Sequence, residues 1–402
     1  MKFMKKTLFL MLLLLPLGAV RAQVSTTDSI AADTLPWPRN VQTCLDSLLR
    51  HPMFQTSTVG LMVYDLTADS ALYCHQHRLL LRPASTMKLL TAITAIDRLG
   101  GSYQFHTSLY YKGVVSDRTL WGNLVCVGGM DPRFNGDDMA AFVESVRRLG
   151  IDTIRGQIVA DCSMKDTLKW GEGWCWDDDN PTLSPLLVSK KAIFVERFER
   201  ELQDEGVVLA APDGVPGRSV ERLVCTRSHS IDQVLGRMMK ESDNLYAESM
   251  FYQIAASTGN RPATAKQACG VMKQLINRLG LTPKHYRLAD GSGLSLYNYL
   301  SAELEVLLLR YAWRNRQVYD LLLPSLPIAG VDGTLKKRMQ TPFTEGNVRA
   351  KTGTLTGIVS LAGYCTAANG HELCFAIINQ GIMQSDPGRD FQDRVCKVLC
   401  QP

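Results

Sequence analysis

The chain has 402 residues, 46% hydrophobic, with 44 basic and 39 acidic side chains and a net charge of +5. That length supports a sizeable core in two or three domains. Four of the basic residues (Lys2, Lys5, Lys6, Arg21) fall in residues 1–22, which hold no acid, so the rest carries 40 against 39, or +1. A balance that even excludes the electrostatic footprint of a nucleic-acid binder.

Residues 1–22 are patterned for export. A basic head is followed by an apolar run from Leu8 to Leu17 and by Val20-Arg21-Ala22, a small-residue cleavage site before Gln23. This is the pattern of a secretory signal peptide, its apolar part short for a stable span. Left uncleaved, it would be an N-terminal anchor. The first cysteine is Cys44, too distant for lipid attachment, and no later stretch is long and apolar enough to cross a bilayer. The periplasm is the expected location. Eleven cysteines are an odd number, so at least one stays unpaired within the chain, and no Cys-x-x-Cys string points to zinc-ribbon or thioredoxin chemistry.

In chain order, residues 37–50 carry helical spacing (Val41, Leu45, Leu48, Leu49). Thr58 to Leu66 reads as a strand, and Ala71 to Tyr73 as the start of its partner. Cys74-His75-Gln-His77 resembles a metal cluster, but strand alternation sets His75 opposite Cys74, and no metal site is expected. Pro83 to Leu99 is the first strong helix, with Leu89, Leu90, Ile93, Ile96 and Leu99 on one face and Gly100-Gly101 as its stop. From about Tyr103 to Arg227 the texture turns to short strands: Phe105–Lys112, Leu120–Val127 and Thr153–Ala160, with a helix over Asp138–Arg148. This stretch has its own apolar periodicity and reads as an inserted domain over residues 104–227. Ser230 to Ser257 is helical apart from a break near Ser242-Asp243, and Ala263 to Leu279 is a helix ended by Gly280. Asp290-Gly-Ser-Gly293 is a tight loop, either lining a cleft or turning the chain, and Ser295 opens the helical region through Ala302–Trp313. Val348–Thr366 and Glu372–Asn379 read as antiparallel strands, and a closing helix lies around Phe391–Leu399. With Asn369-Gly370 as a two-residue turn, Cys365 faces Cys374 across the hairpin, as a disulfide or as two buried thiols.

Three strings carry the chemistry. Ser85-Thr86-Met87-Lys88 places a hydroxyl and an amine three apart on one face of a helix start. A serine hydroxyl needs a neighbour to take its proton, and a desolvated lysine of lowered pKa can do so. Ser242-Asp243-Asn244 lies at the helix break, where Ser242 can relay a proton between Lys88 and a leaving amine, and Asn244 can bond a substrate's peptide backbone. Lys351-Thr352-Gly353-Thr354 follows a strand-like segment. Its cation and the hydroxyls of Thr352 and Thr354 suit a terminal carboxylate. Gly353 lets the strand approach substrate, and the Thr354 amide with that of Ser85 would make an oxyanion hole.

Ser-x-x-Lys, Ser-Asp-Asn and Lys-Thr-Gly in this order mark penicillin-binding proteins and serine β-lactamases. The resemblance extends through Arg82-Pro-Ala-Ser-Thr-Met-Lys-Leu-Leu-Thr-Ala92, Val127-Gly-Gly-Met-Asp-Pro132, Gly173-Trp-Cys-Trp-Asp-Asp178, Asp290-Gly-Ser-Gly-Leu-Ser295, Gly330-Val-Asp-Gly-Thr-Leu335 and Ala350-Lys-Thr-Gly-Thr-Leu355. Over most of the chain it resembles the bacterial D-alanyl-D-alanine carboxypeptidase/endopeptidase family, the class C low-molecular-mass penicillin-binding proteins. The resemblance implies an α+β fold: a transpeptidase-like domain (residues 23–103 and 228–402), with helices around an antiparallel sheet, interrupted by a smaller α/β insertion. It implies peptidoglycan stem peptides as substrate and β-lactam antibiotics as covalent ligands, with no metal or organic cofactor. The insertion looks shorter than the family's usual one, its innermost part missing. Ser184-Pro-Leu-Leu-Val-Ser-Lys-Lys191 matches the family only loosely. Asp177 or Asp178 would hold the amino group of a diamino acid in the stem, or else form a turn beside Trp174 and Trp176.

The expected activity is a periplasmic serine D-Ala-D-Ala carboxypeptidase, with endopeptidase action on cross-links as a second expectation. A β-lactamase is the nearest rival, but no Glu-x-x-Leu-Asn string supplies a deacylating glutamate. A non-catalytic peptidoglycan-binding protein is the other alternative, opposed by intact Ser85, Lys88, Ser242 and Lys351.

Overall fold

A computed structural model describes residues 35–178, 180–214 and 218–401. The export pattern of residues 1–22 lies outside them. Helix α1 (Arg39–Leu48) precedes two strands, β1 (Thr58–Asp65) and β2 (Ser70–His75). A 3-10 turn over Ala84–Thr86 leads into α2 (Met87–Leu99), so the helix expected from Pro83 begins with a tighter turn at the serine. Gly100, at φ +84°, ends it.

The chain then leaves for a second sheet: β3 (Gln104–Ser116), β4 (Thr119–Gly128), α3 (Gly136–Arg148), β5 (Thr153–Arg155), β6 (Ile158–Asp161), α4 (Phe194–Asp204), β7 (Val208–Ala210) and β8 (Val220–Ser230). The strand expected over Thr153–Ala160 is two short strands. A Cβ at Gly156 would lie 2.0 Å from the Gly122 carbonyl oxygen, so the chain passes there backbone against backbone. Strand order is β7-β5-β4-β3-β8, with β6 also on β4. Around Phe134, Phe142, Phe194 and Phe198 this sheet and α3 and α4 bury their own core. The excursion closes at its neck. Gln104 pairs with Ser230 across β3 and β8, and the Ile231 amide donates to the Tyr103 carbonyl.

Ser230 caps α5 (Ile231–Lys240) in a capping box with Gln233. Then come α6 (Asn244–Ala256), α7 (Ala265–Arg278), α8 (Ala302–Arg314) and α9 (Arg316–Ser325). Ser301, not Ser295, caps α8, accepting from the Leu304 amide. Ser295 is instead drawn to Asp290. The chain ends with β9 (Arg349–Leu355), β10 (Gly357–Thr366), β11 (Glu372–Ile382) and α10 (Ser385–Cys400).

The first sheet runs β2-β1-β11-β10-β9, every pair antiparallel. β11 is central and buried over Leu373–Asn379, because helices cover both faces. Val63, Leu361, Phe375 and Ile377 face a core shared with α1 and α10, while Met62, Tyr64, Ala362 and Ala376 face the helical core around α2, α6 and α8. Ten consecutive residues of α2, Met87–Ile96, are buried.

The hairpin register differs from expectation. A five-residue loop, 367–371, joins β10 to β11, so Cys365 pairs with Leu373 and Tyr364 with Cys374. A shift of one residue turns each side chain to the other face. Cys365 therefore packs with Cys396 and Cys400, and Cys374 lies in the helical core. Both are free thiols. Non-reducing peptide mapping after alkylation under denaturing conditions is expected to yield no Cys365–Cys374 cross-linked peptide.

Candidate active site

Ser85 is held by a strained turn. Ala84 before it has φ +50°, uncommon for a residue with a side chain. The Thr86 hydroxyl ties the turn down by donating to the Pro83 carbonyl at 2.8 Å. From below, Gly293 (φ +81°) packs so close that a Cβ there would lie 1.8 Å from the Ala84 carbonyl oxygen. The strain leaves the Ser85 hydroxyl half-buried at the start of the central helix.

Lys88, one turn on, is 0% exposed. Its Nζ donates to Ser85 Oγ at 3.0 Å, Asn244 Oδ1 at 2.8 Å and the Ser292 carbonyl at 2.8 Å. An ammonium has three donors, and all three are used. Burial drives Lys88 from the usual 10.5 to about 8, with the carboxylates of Asp290, Glu248 and Asp243 pulling the other way. A lysine so placed loses its proton close to neutral pH.

The break between α5 and α6 turns on Ser242, at φ +59°. Asp243 is the N-cap of α6, its Oδ1 accepting from the Leu245 amide at 3.1 Å. Its other oxygen is gripped by Arg237 at 3.0 Å and by Lys190 from the second sheet's connections. The break presents its two polar side chains to different lysines. Asn244 meets Lys88, whereas Ser242 Oγ accepts from Lys351 Nζ at 2.9 Å. Lys351 is 0% exposed on β9, and burial, with the charge of Lys88 added, holds its ammonium well below the usual range.

β9 is an edge strand lying against the serine turn. A Cβ at Gly353 would sit 2.2 Å from Ser360 Oγ, 2.8 Å from the Pro83 carbonyl and 2.9 Å from the Ser85 amide nitrogen. Only glycine allows that approach. Thr352 Oγ1 donates to Thr334 Oγ1 at 2.8 Å, and Thr354 is exposed. Ser85, Lys88, Ser242, Asn244, Lys351 and Gly353 thus meet at one place. Asp177 is exposed, and Asp178 Oδ2 receives the Cys175 amide at 3.2 Å in a local turn.

Sequence reading took Asp290 only as part of a loop lining a cleft or turning the chain, and it passed over Glu248. Asp290 Oδ1 accepts from the Gly293 amide (2.8 Å) and Asn298 Nδ2 (2.7 Å), and Oδ2 from the Ser295 amide (2.7 Å) and Trp174 Nε1 (2.9 Å). These bonds shape the loop beneath Lys88 and tie segment 173–178 to it. Glu248 falls four residues after Asn244 on α6, on the same helical face, which is the signal that could have found it.

The fold is that of a penicillin-binding protein. Penicillin binding protein 4 of Haemophilus influenzae superimposes with a TM-score of 0.80 at 22% identity, covering 89% of this chain and 99% of that one. The profile of the D-Ala-D-Ala carboxypeptidase 3 (S13) family matches residues 41–187 and 181–401, and the chain belongs to that family of peptidases. A carboxypeptidase of Mycobacterium tuberculosis is 30% identical over 79% of this chain and 74% of its own length. The D-alanyl-D-alanine carboxypeptidase DacB of Haemophilus influenzae is 24% identical over 82% and 87%.

The contacts at Gly353 set an expectation for stability. Gly353→Ala forces β9 from the serine turn, and urea denaturation should show a loss of about 1–3 kcal/mol, the usual cost of overpacking.

Proposed function

We propose that the chain is a serine D-Ala-D-Ala carboxypeptidase acting on peptidoglycan stem peptides through an acyl-enzyme on Ser85. One observation carries this reading: a buried lysine of lowered pKa donates to the hydroxyl of a serine whose amide lies beside the glycine of an edge strand. An edge strand offers unpaired backbone groups, so a peptide ending in D-Ala-D-Ala adds to β9 as a further strand. Lys351, with the hydroxyls of Thr352 and Thr354, takes the terminal carboxylate. Arrival of that anion relieves the repulsion between two buried lysines.

Ser85 Oγ then attacks the penultimate carbonyl carbon while Lys88 takes its proton. The oxyanion is met by the amides of Ser85 and Thr354. As the C–N bond breaks, Ser242, bonded to Lys351, delivers a proton to the departing D-Ala amine, and the proton that Lys88 took from Ser85 replaces it, so Lys351 stays charged on the carboxylate and Lys88 is neutral again. Asn244 has two tasks, fixing Lys88 and bonding the substrate amide. Water, deprotonated by Lys88, completes the cycle by hydrolysing the ester. A β-lactam presents the same carboxylate and reactive carbonyl and acylates Ser85, but no amine departs. Residues 104–227 form the inserted domain in this reading, and residues 1–22 direct the chain to the periplasm.

Intact-mass spectrometry after penicillin is expected to show a long-lived adduct on the wild type and none on Ser85→Ala; rapid turnover would make it a β-lactamase instead. Muropeptide digestion should release one terminal alanine, and cleavage of dimers to monomers would add endopeptidase action. The neutral form of Lys88 is the base, so acylation is expected to rise with pH to a plateau, with its midpoint near 8. Below that, each pH unit lowers the rate about tenfold, as stopped-flow acylation would read.

A further inference from the structure

Glu248 is 1% exposed, and no step above uses it. It lies one turn after Asn244 on α6, and its Oε1 accepts from the amides of Gly291 (3.0 Å) and Ser292 (2.8 Å). The next amide, Gly293, donates to Asp290 at 2.8 Å. Three successive N–H groups therefore point at two buried carboxyls. The carbonyl of Ser292 belongs to the same peptide plane as the Gly293 amide, and with that N–H fixed, it is aimed the other way. It meets Lys88 Nζ at 2.8 Å. Thr91, from α2, holds the Gly291 carbonyl at 2.6 Å. Helix α6 thus grips Lys88 directly through Asn244 and at one remove through Glu248.

We propose that Glu248 is a positioning residue for Lys88: by fixing the Gly291 and Ser292 amides, its carboxyl anchors the loop whose next peptide plane, held by Asp290 through the Gly293 amide, presents the Ser292 carbonyl that, with Asn244, directs the lysine at Ser85. This rests on the reading of Lys88 as the base. The groups facing Lys88 are Asp290 from the loop, Glu248 and Asp243 from α6 and its cap, and Lys351 from β9. Burial, and then the charge of Asp290, push the Glu248 carboxyl up to about 8, with the Ser292 and Gly291 hydrogen bonds drawing it back.

The experiment follows the 13Cε resonance of Lys88 against pH, identified by its loss in Lys88→Met, alongside the pH profile of penicillin acylation. Glu248→Gln keeps an oxygen for the two amides but removes the negative charge the carboxyl gains as pH rises, so the Lys88 midpoint is expected to fall, with the acylation limb following. Glu248→Ala frees the amides, and its plateau acylation rate should drop about 10²-fold while KM for a D-Ala-D-Ala peptide stays near the wild-type value. Val395→Ala, a cavity in the opposite core, should lower stability without moving the midpoint. A Lys88 midpoint unmoved in both Glu248 variants, or Glu248→Ala acylating at the wild-type rate, overturns the proposal. A wild-type chain that takes no penicillin would sink the carboxypeptidase reading, and the Lys88 titration would still decide the role of Glu248.

Discussion

A lysine ammonium sealed away from water is the constraint around which this molecule is arranged. Taking such a charge out of solvent costs several kcal/mol unless each donor finds an acceptor. Lys88 finds three, from the serine turn, from α6 and from the loop at Ser292. The fall from 10.5 to about 8 corresponds to a penalty on the order of 3 kcal/mol against the charged form. That cost lowers the pH at which the amine gives up its proton, and the stability of the surrounding core must cover it. Moving any one of the three segments leaves a buried donor without a partner, so the site and the fold are specified together.

The long excursion between the first and second motifs leaves this arrangement undisturbed because its entry and exit strands lie side by side. Gln104 opposite Ser230 and the bond from Ile231 to Tyr103 return the chain to its departure point, where α5 starts with a cap of its own. The second sheet then reaches back through Lys190, which joins Arg237 on the Asp243 carboxylate. That carboxylate caps α6, so the connections of the second sheet bear on the helix that carries Asn244.

The three motifs were legible because, weak one by one, they occur together in order, each in a fitting local context: a helix start, a helix break, and a strand. What escaped was set by partners distant in sequence. Glu248 reads as an ordinary helical glutamate until the loop at 290–293 is folded over it. Ser242 was expected to bridge toward Lys88, yet the left-handed backbone at that residue turns its hydroxyl to Lys351. Asn369-Gly370 suggested a two-residue turn with Ala368 opposite His371, but Ala367 bonds His371 instead and leaves residues 368–370 at the tip. That difference of one in register sent Cys365 and Cys374 to opposite cores. Ser295 was read as a cap because serine favours helix starts, and the buried Asp290 claimed its amide. Periodicity reports burial, and burial does not identify which buried polar groups will meet.

Pairing of β1 with β11 has a consequence for biogenesis. The sheet's first strand must wait more than three hundred residues for its central neighbour, and Lys351 joins Ser85 in its turn and Lys88 on α2 only with the last strands. A chain still being made therefore has its serine turn but no cleft, and an exposed strand awaiting its mate. The site is therefore complete only once β9, β10 and β11 have joined the sheet.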